Sequence, residues 1–350
     1  MKKKFSYFLN VLIIVIISVI TIKLLFGDSD FKNIIKDFRN AGKGWLIFGL
    51  LLVLLFVCSE SVIIKYMLKM QKTAVPLIRC IKYSFIGFFF SYITPSASGG
   101  QPAQIFYMKK DGIKIGNSTL IMVVIAFAYK LALVLIGLVL FVLRFSQMCE
   151  YIGGLMWLVI VGFLLNIVYI ILLGALIIKP FWTKMAGIKI IVCLSKLKII
   201  RNNEKYINKI NRICDNYVLS ANYVKENIHS VVKILIITIV QRIFLFAVTF
   251  VVYKSYGLYG TSFIDIIAVQ AIIGIAVEML PLPGAAGVTE GCFVTMFETI
   301  FGLQLVKSAL VLSRGMSFYF LLIAGGLVTV AAHFISVKQN YSVDTYDTKE

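Results

Sequence analysis

Several residue types on which catalytic and disulfide-rich proteins depend are scarce in this chain. Its two histidines, His229 and His333, lie far apart, so the sequence lacks the parts of a histidine metal site or a Ser-His-Asp triad. Its six cysteines show no pairing rhythm and no CxxC spacing, which argues against a disulfide framework or a zinc site. A GxxxxGKS/T nucleotide-binding loop is also missing. We therefore predict no catalytic residues, no metal and no cofactor.

Charged residues are also few, at 15% of 350 residues, whereas 60% are hydrophobic and the mean hydropathy is +0.94. A soluble core could not hide that much apolar surface. The chain is thus predicted to be an all-α polytopic membrane protein. Apolar runs long enough to cross a hydrocarbon core of ~30 Å lie at residues 8–26, 45–64, 118–143, 155–178, 231–253 and 308–334.

Two further hydrophobic stretches, 83–117 and 264–303, are interrupted by proline and glycine. The first break reads Thr94-Pro-Ser-Ala-Ser-Gly-Gly-Gln-Pro102, and the second reads Leu280-Pro-Leu-Pro-Gly-Ala-Ala-Gly-Val-Thr-Glu290. In lipid each unpaired backbone group costs several kcal/mol, so such breaks are expected where they are buried in protein or line a polar cavity. We predict two re-entrant, broken-helix hairpins in an inverted-repeat arrangement, which is typical of a membrane transport site.

Lysine and arginine are distributed unevenly between the two sides of this topology. Ten of them lie between Lys179 and Lys225, on the same predicted side as Lys2 to Lys4. The positive-inside rule therefore predicts a multi-pass protein with both termini in the cytoplasm. The expected location is a bacterial-type cell membrane. The formal net charge of +19 then reflects this rule and contact with anionic lipid, and nucleic-acid binding is the less favoured interpretation.

One integral membrane domain is predicted over residues 1–335, followed by a short cytoplasmic tail, 336–350. Its first half is 1–143 and its second half is 155–335, which contains a cytoplasmic connector, 179–229. Apolar residues recur at helical spacing in the connector, at Tyr206, Ile210, Ile213, Tyr217, Ala221 and Val224. We interpret the connector as an interfacial amphipathic helix, and the alternative is a docking surface for a cytoplasmic enzyme or tRNA.

The residues of the first break predict how its second half-helix begins. Pro102 suits the first turn of a helix, where a missing N–H is not needed. A cap and a flexible backbone just before it are expected from Ser98, Gly99 and Gly100.

The second break repeats this arrangement. Pro281 and Pro283 are expected to end one half-helix, and Gly284 and Gly287 to permit close backbone approach. The opening turn of the next half-helix contains Thr289 and Glu290. Helix N-termini inside a membrane favour an anion such as phosphate. The alternative is that both breaks are kinks that help helices pack.

Three basic residues, Lys130, Arg242 and Arg314, interrupt apolar runs. A charge at the bilayer centre costs ~2.5–3.5 kcal/mol even on an insertion scale, so each is expected to face a cavity or a partner. Two alternatives stay open: the charges pair with one another as structural contacts, or Arg242, near a span boundary, extends to the interface. The expected acidic counterparts are Glu60, Glu278 and Glu290.

The two breaks, with Arg314 in Leu312-Ser-Arg-Gly-Met-Ser-Phe-Tyr319, resemble the lysylphosphatidylglycerol synthase transmembrane family, the flippase-like membrane part of the multiple peptide resistance factor. The resemblance extends from the first span to about His333. It implies a domain that moves aminoacylated phospholipids, or other lipids with polar head groups, between leaflets. In the family, a separate cytoplasmic domain uses lysyl-tRNA to make lysylphosphatidylglycerol, which lowers sensitivity to cationic antimicrobial peptides.

Two positions depart from the family pattern. Gln101 stands where the family often has an acid, and Tyr129-Lys130 stands where an acid–arginine pair is more usual. Both changes make the first half less acidic, so the resemblance does not assure a cationic lysyl head group as cargo. The motif matches are Thr94, Pro95, Ser96, Ser98, Gly99 and Gly100 in the first break, and Pro281, Pro283, Gly284, Gly287 and Glu290 in the second.

From these residues we predict a lipid head-group site in which half-helix N-termini and Arg314 hold a phosphate. Glu278 and Glu290 are expected to offer counter-charge to an amine. The full predicted site is Thr94, Ser96, Ser98, Gly99, Gly100, Gln101, Lys130, Arg242, Glu278, Pro281, Pro283, Gly284, Gly287, Thr289, Glu290 and Arg314.

The predicted function is a lipid translocase for phosphatidylglycerol or its aminoacyl derivatives. One alternative is a phosphatidylglycerol lysyltransferase that uses lysyl-tRNA, and another is a scaffold for a separate synthase. No soluble aminoacyl-transferase domain is visible in the 350 residues, so we expect the transport half without the catalytic half. Expected partners are membrane phospholipids, with a synthase or a second copy as further candidates and tRNA only under the transferase alternative.

Overall fold

The computed structural model describes residues 28–179, 214, 217–219, 221 and 227–344. Regular structure in this part of the chain is helical. The predicted first span, 8–26, and most of the connector lie outside the described residues. The α-helices are α1 (Asp28–Asn40), α2 (Lys43–Met70), α3 (Leu77–Tyr92), α4 (Gly100–Lys110), α5 (Ile115–Leu143), α6 (Phe145–Ile152), α7 (Met156–Ile178), α8 (Ile228–Ser255), α9 (Phe263–Val277), α10 (Val288–Arg314) and α11 (Phe320–Asp344).

The prediction of an all-α polytopic membrane protein is confirmed. In the described residues, five helical stretches are long and apolar enough to cross a membrane. They contain the predicted spans other than 8–26, and α7 turns many large apolar side chains outward, including Trp157, Leu164 and Ile171. Helix α11 continues to Asp344, so it extends into the segment predicted as a short cytoplasmic tail.

The two predicted hairpins are each built from short helices separated by a non-helical break. In the first, α3 has 16 residues and α4 has 11. In the second, α9 has 15 residues, a length of about 22 Å, which is shorter than a hydrocarbon core of ~30 Å. Nearly every residue of α9 from Asp265 to Val277 is buried. The helix is therefore surrounded by protein.

The two halves of the chain repeat one order of elements. The first half runs α2, α3, α4, α5. The second runs α8, α9 and then α10 with α11, in which α10 is divided at Gly302. The backbone of α10 leaves helical geometry at Gly302, with φ 75° and ψ 157°. Residues 288–301 therefore correspond to α4, and the helix after Gly302 corresponds to α5. A π-helical turn, Gly315–Tyr319, interrupts this last span.

The breaks themselves have matching backbones. Ser96 and Gly284 have φ angles of 50° and 57°, and the residues that follow, Ala97 and Ala285, have 55° and 49°. Left-handed backbone at serine or alanine is uncommon, so its recurrence at equivalent positions is strong support for a structural repeat.

A hydrogen-bond pattern recurs with these angles. The N–H of Ala97 donates to the Thr94 carbonyl at 3.2 Å, and the N–H of Ala285 donates to the Leu282 carbonyl at 3.1 Å. The two breaks therefore form the same tight turn.

Equivalent residues of the two breaks also contact each other. Pro95 and Pro283, 188 positions apart, form an isolated antiparallel bridge. A two-fold axis that passed between the halves would produce such a bridge between equivalent residues. The helix packing follows the same relation, since α3 packs on α11 and α9 packs on α5. These observations support the predicted inverted repeat.

Close approach within the first hairpin depends on glycine. A Cβ placed on Gly100 would meet the Gly87 carbonyl oxygen at 2.7 Å and would overlap the Ser91 hydroxyl. At Gly87 the space that a side chain would fill is taken by the amide of Gln104. The contact between α3 and α4 therefore cannot accept even one added methyl group without backbone movement.

We expect Gly100→Ala to lower the stability of the folded protein by about 1–3 kcal/mol, because the added methyl group collides with backbone rather than with a flexible side chain. The matched control is Gly44→Ala, at a helical position with open space around it. Thermal unfolding in detergent should show a lower melting temperature for Gly100→Ala and an unchanged or higher one for the control. Equal melting temperatures would contradict the close contact.

Candidate functional site

The two breaks lie against each other and form one junction, defined here as residues 94–99 and 280–287. Besides the bridge between Pro95 and Pro283, the Ser96 hydroxyl donates to the Leu280 carbonyl at 3.2 Å. The tip of the first break, residues 95–98, is exposed, and most of the second break is half-buried. The junction therefore has an open side at the first break and a covered side at the second.

At the first break α4 begins with Gly99 as its N-cap, one of the three residues from which the cap was expected. Thr94 satisfies the backbone there: its hydroxyl accepts from the Gly99 N–H at 2.8 Å and donates to the Phe90 carbonyl at 2.6 Å. Pro102 is the third residue of α4, in the first turn, as predicted. The role of Thr94 was missed because the cap comes from five residues upstream.

At the second break α10 begins at Val288, with Thr289 and Glu290 in its opening turn as predicted. One Glu290 carboxylate oxygen accepts from the Gly287 N–H at 2.6 Å, which closes the capping arrangement at this helix end. The Thr289 hydroxyl donates to the Ala285 carbonyl at 2.8 Å. Backbone groups at this break are thus held by its own side chains.

Arg314 joins the second break to the last span. Its Nε lies 2.8 Å from Oε1 of Glu290, and its terminal nitrogen lies 3.3 Å from the Gly284 carbonyl oxygen. The guanidinium also stacks on Phe318, 4.5 Å from the ring centre. Both Arg314 and Phe318 stand at the π-helical turn of this span. Such turns are frequent at functional sites because they change the direction of side chains within a helix.

Lys130, Arg242 and Glu278 form a second ionic group, named here the charge triad. Arg242 contacts both oxygens of the Glu278 carboxylate, at 2.5 and 3.0 Å, and the Lys130 ammonium lies 2.9 Å from Oε2. Arg242 also stacks on Tyr129, at 3.5 Å from the ring centre, and donates to the Tyr129 carbonyl at 3.2 Å. Residues from α5, α8 and the end of α9 therefore meet at one point.

Burial differs within the triad. The Arg242 side chain is 0% exposed, whereas those of Lys130 and Glu278 are 13% and 26% exposed. The alternative that Arg242 extends to the membrane interface is therefore wrong. The triad has two cations and one carboxylate, and the pair of Arg314 with Glu290 is neutral. One positive charge of the triad is therefore not balanced by a carboxylate of these two groups.

Tyr92 lies between the two ionic groups. Its phenol is close enough to Arg314, Glu278 and Arg242 to interact with all three electrostatically. Its hydroxyl donates to the Ser317 carbonyl at 3.2 Å, and its ring packs on Phe318 with 4.7 Å between centres. Sequence reasoning missed this residue, although its place just before the first break was a usable signal.

The remaining predicted residues lie at the helix starts or at the tip of the junction. Gly100 and Gln101 open α4, and Pro281 is exposed where the second break begins. Glu60, predicted as a counter-ion, does not pair with a cation among the described residues. Its carboxylate accepts a hydrogen bond from the Gln104 amide at 2.7 Å instead.

Part of the connector is described, and three of its apolar residues there face inward, whereas Leu219 is exposed. Cys214, Tyr217 and Ala221 are buried, and the Tyr217 hydroxyl donates to the Leu176 carbonyl at 3.2 Å. At these positions the connector packs against the helices. Whether it forms an interfacial amphipathic helix stays a prediction.

Comparison with known families gives one match for most of the chain. The family model described as "Lysylphosphatidylglycerol synthase TM region" matches residues 9–325. No curated protein sequence gives a significant match. The matched range contains both breaks, the charge triad and the pair of Arg314 with Glu290.

The charge balance of the triad predicts unequal effects of two substitutions. Glu278→Gln leaves the buried Arg242 and the partly exposed Lys130 without this counter-ion and should destabilise the protein by about 3–5 kcal/mol. Lys130→Met leaves Arg242 and Glu278 as a balanced pair and should cost much less. The measurement is thermal unfolding of both variants in detergent. Equal losses of stability in the two variants would contradict this expectation, because removing Lys130 would then cost as much as removing the carboxylate itself.

Proposed function

Because the chain belongs to the lysylphosphatidylglycerol synthase transmembrane-region family, we propose that it is a membrane lipid translocase that binds the head group of an anionic phospholipid at the junction. The observation that carries the proposal is the direct contact of the two breaks at Pro95 and Pro283. This contact brings the N-termini of α4 and α10 to one place, beside two ionic groups with an excess of positive charge.

A phosphate is the chemical group that this arrangement suits best. The first turns of α4 and α10 supply backbone N–H groups and the positive ends of two helix dipoles. Lys130, the partly exposed cation of the triad, supplies a charge that Glu278 does not need, since Arg242 already contacts both of its oxygens. The N-termini of α4 and α10 and the Lys130 ammonium together favour a phosphodiester over a neutral head group.

Counter-charge to an amine is less readily available. Glu290 already accepts hydrogen bonds from Arg314 and from the Gly287 N–H. Glu278 is engaged by Arg242 and Lys130. A lysyl head group could reach Glu278 by taking the place of the Lys130 ammonium, which is chemically the same group. The proposal therefore accommodates phosphatidylglycerol directly and its lysyl derivative by exchange.

The repeat offers a route between leaflets. Equivalent turns meet at an approximate two-fold axis, and each α3-type helix packs on the last span of the other half. Movement of one half against the other would open the junction to either side in turn, which is alternating access around a fixed site.

Liposomes that contain the purified protein test the proposal. With fluorescent phosphatidylglycerol and a membrane-impermeant quencher, we expect the wild-type protein to accelerate exchange between leaflets well above protein-free liposomes. Lys130→Met should lower the rate about tenfold, because one charge-assisted contact to the phosphate is lost. Lys114→Met, at an exposed lysine outside the spans, is the matched control and should keep the wild-type rate.

Three results would overturn the proposal or replace it. Exchange no faster than in protein-free liposomes would reject lipid translocation. Incorporation of lysine into phosphatidylglycerol by this chain with lysyl-tRNA alone would favour the transferase alternative. A scaffold role would be indicated if Arg314→Ala and Glu290→Gln inserted normally and left the lipid distribution of cells unchanged.

A further inference from the structure

Glu60 is a buried carboxyl group that the lipid site does not use. It stands on α2 and is 6% exposed. Its carboxylate accepts a hydrogen bond from the Gln104 amide at 2.7 Å, and Gln241 of α8 lies nearby, buried, with its Nε2 lacking a hydrogen-bond partner among the described residues. Among the residues that the structure describes, no lysine or arginine lies within ion-pair distance of it.

This environment differs from that of the other two carboxylates near the junction. Glu278 has two cationic partners and Glu290 has one, so their negative charges are compensated by protein. Glu60 has amide groups alone. A buried charge without a counter-ion is unfavourable, and a bound proton removes it. Amide donors offset part of that cost, so the ionised form also stays accessible.

The hydrogen bond joins elements that must move relative to each other if the hairpin moves. Gln104 belongs to α4, the second half-helix of the first hairpin, and its amide occupies the notch at Gly87 of α3. Glu60 belongs to the long span α2. Protonation of the carboxyl would replace an acceptor by a group that also donates, and so would weaken the present contact with the Gln104 amide.

Glu60 is connected to the charge triad of the proposed head-group site through neighbouring residues. Gln241 immediately precedes Arg242 of the charge triad. The polar and titratable groups near Glu60 are Gln104 from α4, Gln241 from α8, Tyr92 from α3 and Tyr129 from α5. Of these, Tyr129 contacts Arg242 of the triad through its ring and its carbonyl oxygen.

Glu60 lies nearer the predicted cytoplasmic end of α2 than the opposite end. Glu60 is five residues from Lys65, an exposed residue at the predicted cytoplasmic end of α2. Five residues correspond to a helical rise of ~7.5 Å. Buried carboxyl groups inside membrane spans are typical of proton relays in transporters.

We propose that Glu60 is a proton-binding site whose protonation controls the contact between α2 and the first hairpin, and thereby couples proton movement to lipid movement. The inference rests on the proposed function, since it supplies an ion for that transport. The ligand is a proton taken from the cytoplasmic side, bound to a carboxylate oxygen and released to water when the hairpin returns.

Infrared difference spectroscopy of the wild-type protein tests the site without any transport. We expect a carboxyl band from a buried acid that appears as the pH is lowered, and we expect Glu60→Gln to lack it. Glu150→Gln, at an exposed carboxylate outside the lipid site, should keep it. A band that is unchanged in Glu60→Gln, or that does not change with pH, would overturn the assignment of a proton-binding site.

Coupling is tested in liposomes with a pH difference across the membrane and fluorescent phosphatidylglycerol. The wild-type rate should change several-fold when the gradient is reversed, and the Glu60→Gln rate should not change, while Glu150→Gln follows the wild type. A wild-type rate that ignores the gradient would reject coupling while lipid translocation stands. Absence of translocation by the wild type under every gradient would reject the proposed function and the coupling with it, and the infrared result would then stand as a property of Glu60 alone.

Discussion

The structure depends on satisfying the backbone where two helices stop inside an apolar protein. Without water, every free N–H and carbonyl at a break must find a partner within the protein. The two breaks lie together at the bridge of Pro95 and Pro283, and the Ser96 hydroxyl donates to the Leu280 carbonyl. Thr94 and Glu290 each bond one N–H group at a helix start, those of Gly99 and Gly287. The contact that completes the fold is therefore also the contact that assembles the site.

The halves share a backbone but differ in their charges. Ser96 and Gly284 occupy equivalent turn positions with nearly the same φ angle. At the next helix start, however, Pro102 of the first half corresponds to Glu290 of the second, which binds Arg314. The charge triad likewise takes its carboxylate from the end of α9 and its cations from α5 and α8. The two halves thus share the backbone geometry of the junction, whereas the charged side chains around it differ between the halves.

Much of the fold could be predicted because its signals are local. The length of the apolar runs predicted the membrane spans. The Pro/Gly clusters predicted both breaks at the positions that the structure shows. The site was harder, because it depends on contacts between distant residues. From its position near a span boundary, Arg242 could have extended to the membrane interface, but its side chain is 0% exposed. Tyr92 was not predicted as a site residue. Glu60 was expected to meet a cation, but an amide from α4 reaches it instead.

By itself, the sequence determined that this is a helical membrane protein with two interrupted hairpins, since hydropathy, proline and glycine act on their own stretch of chain. Only the tertiary structure decided that equivalent prolines touch, that Glu278 binds two cations at once and that Glu60 binds none among the described residues. The physical reason is that pairing of buried charges and of free backbone groups depends on distances across helices, and those distances exist only once the two halves have packed together.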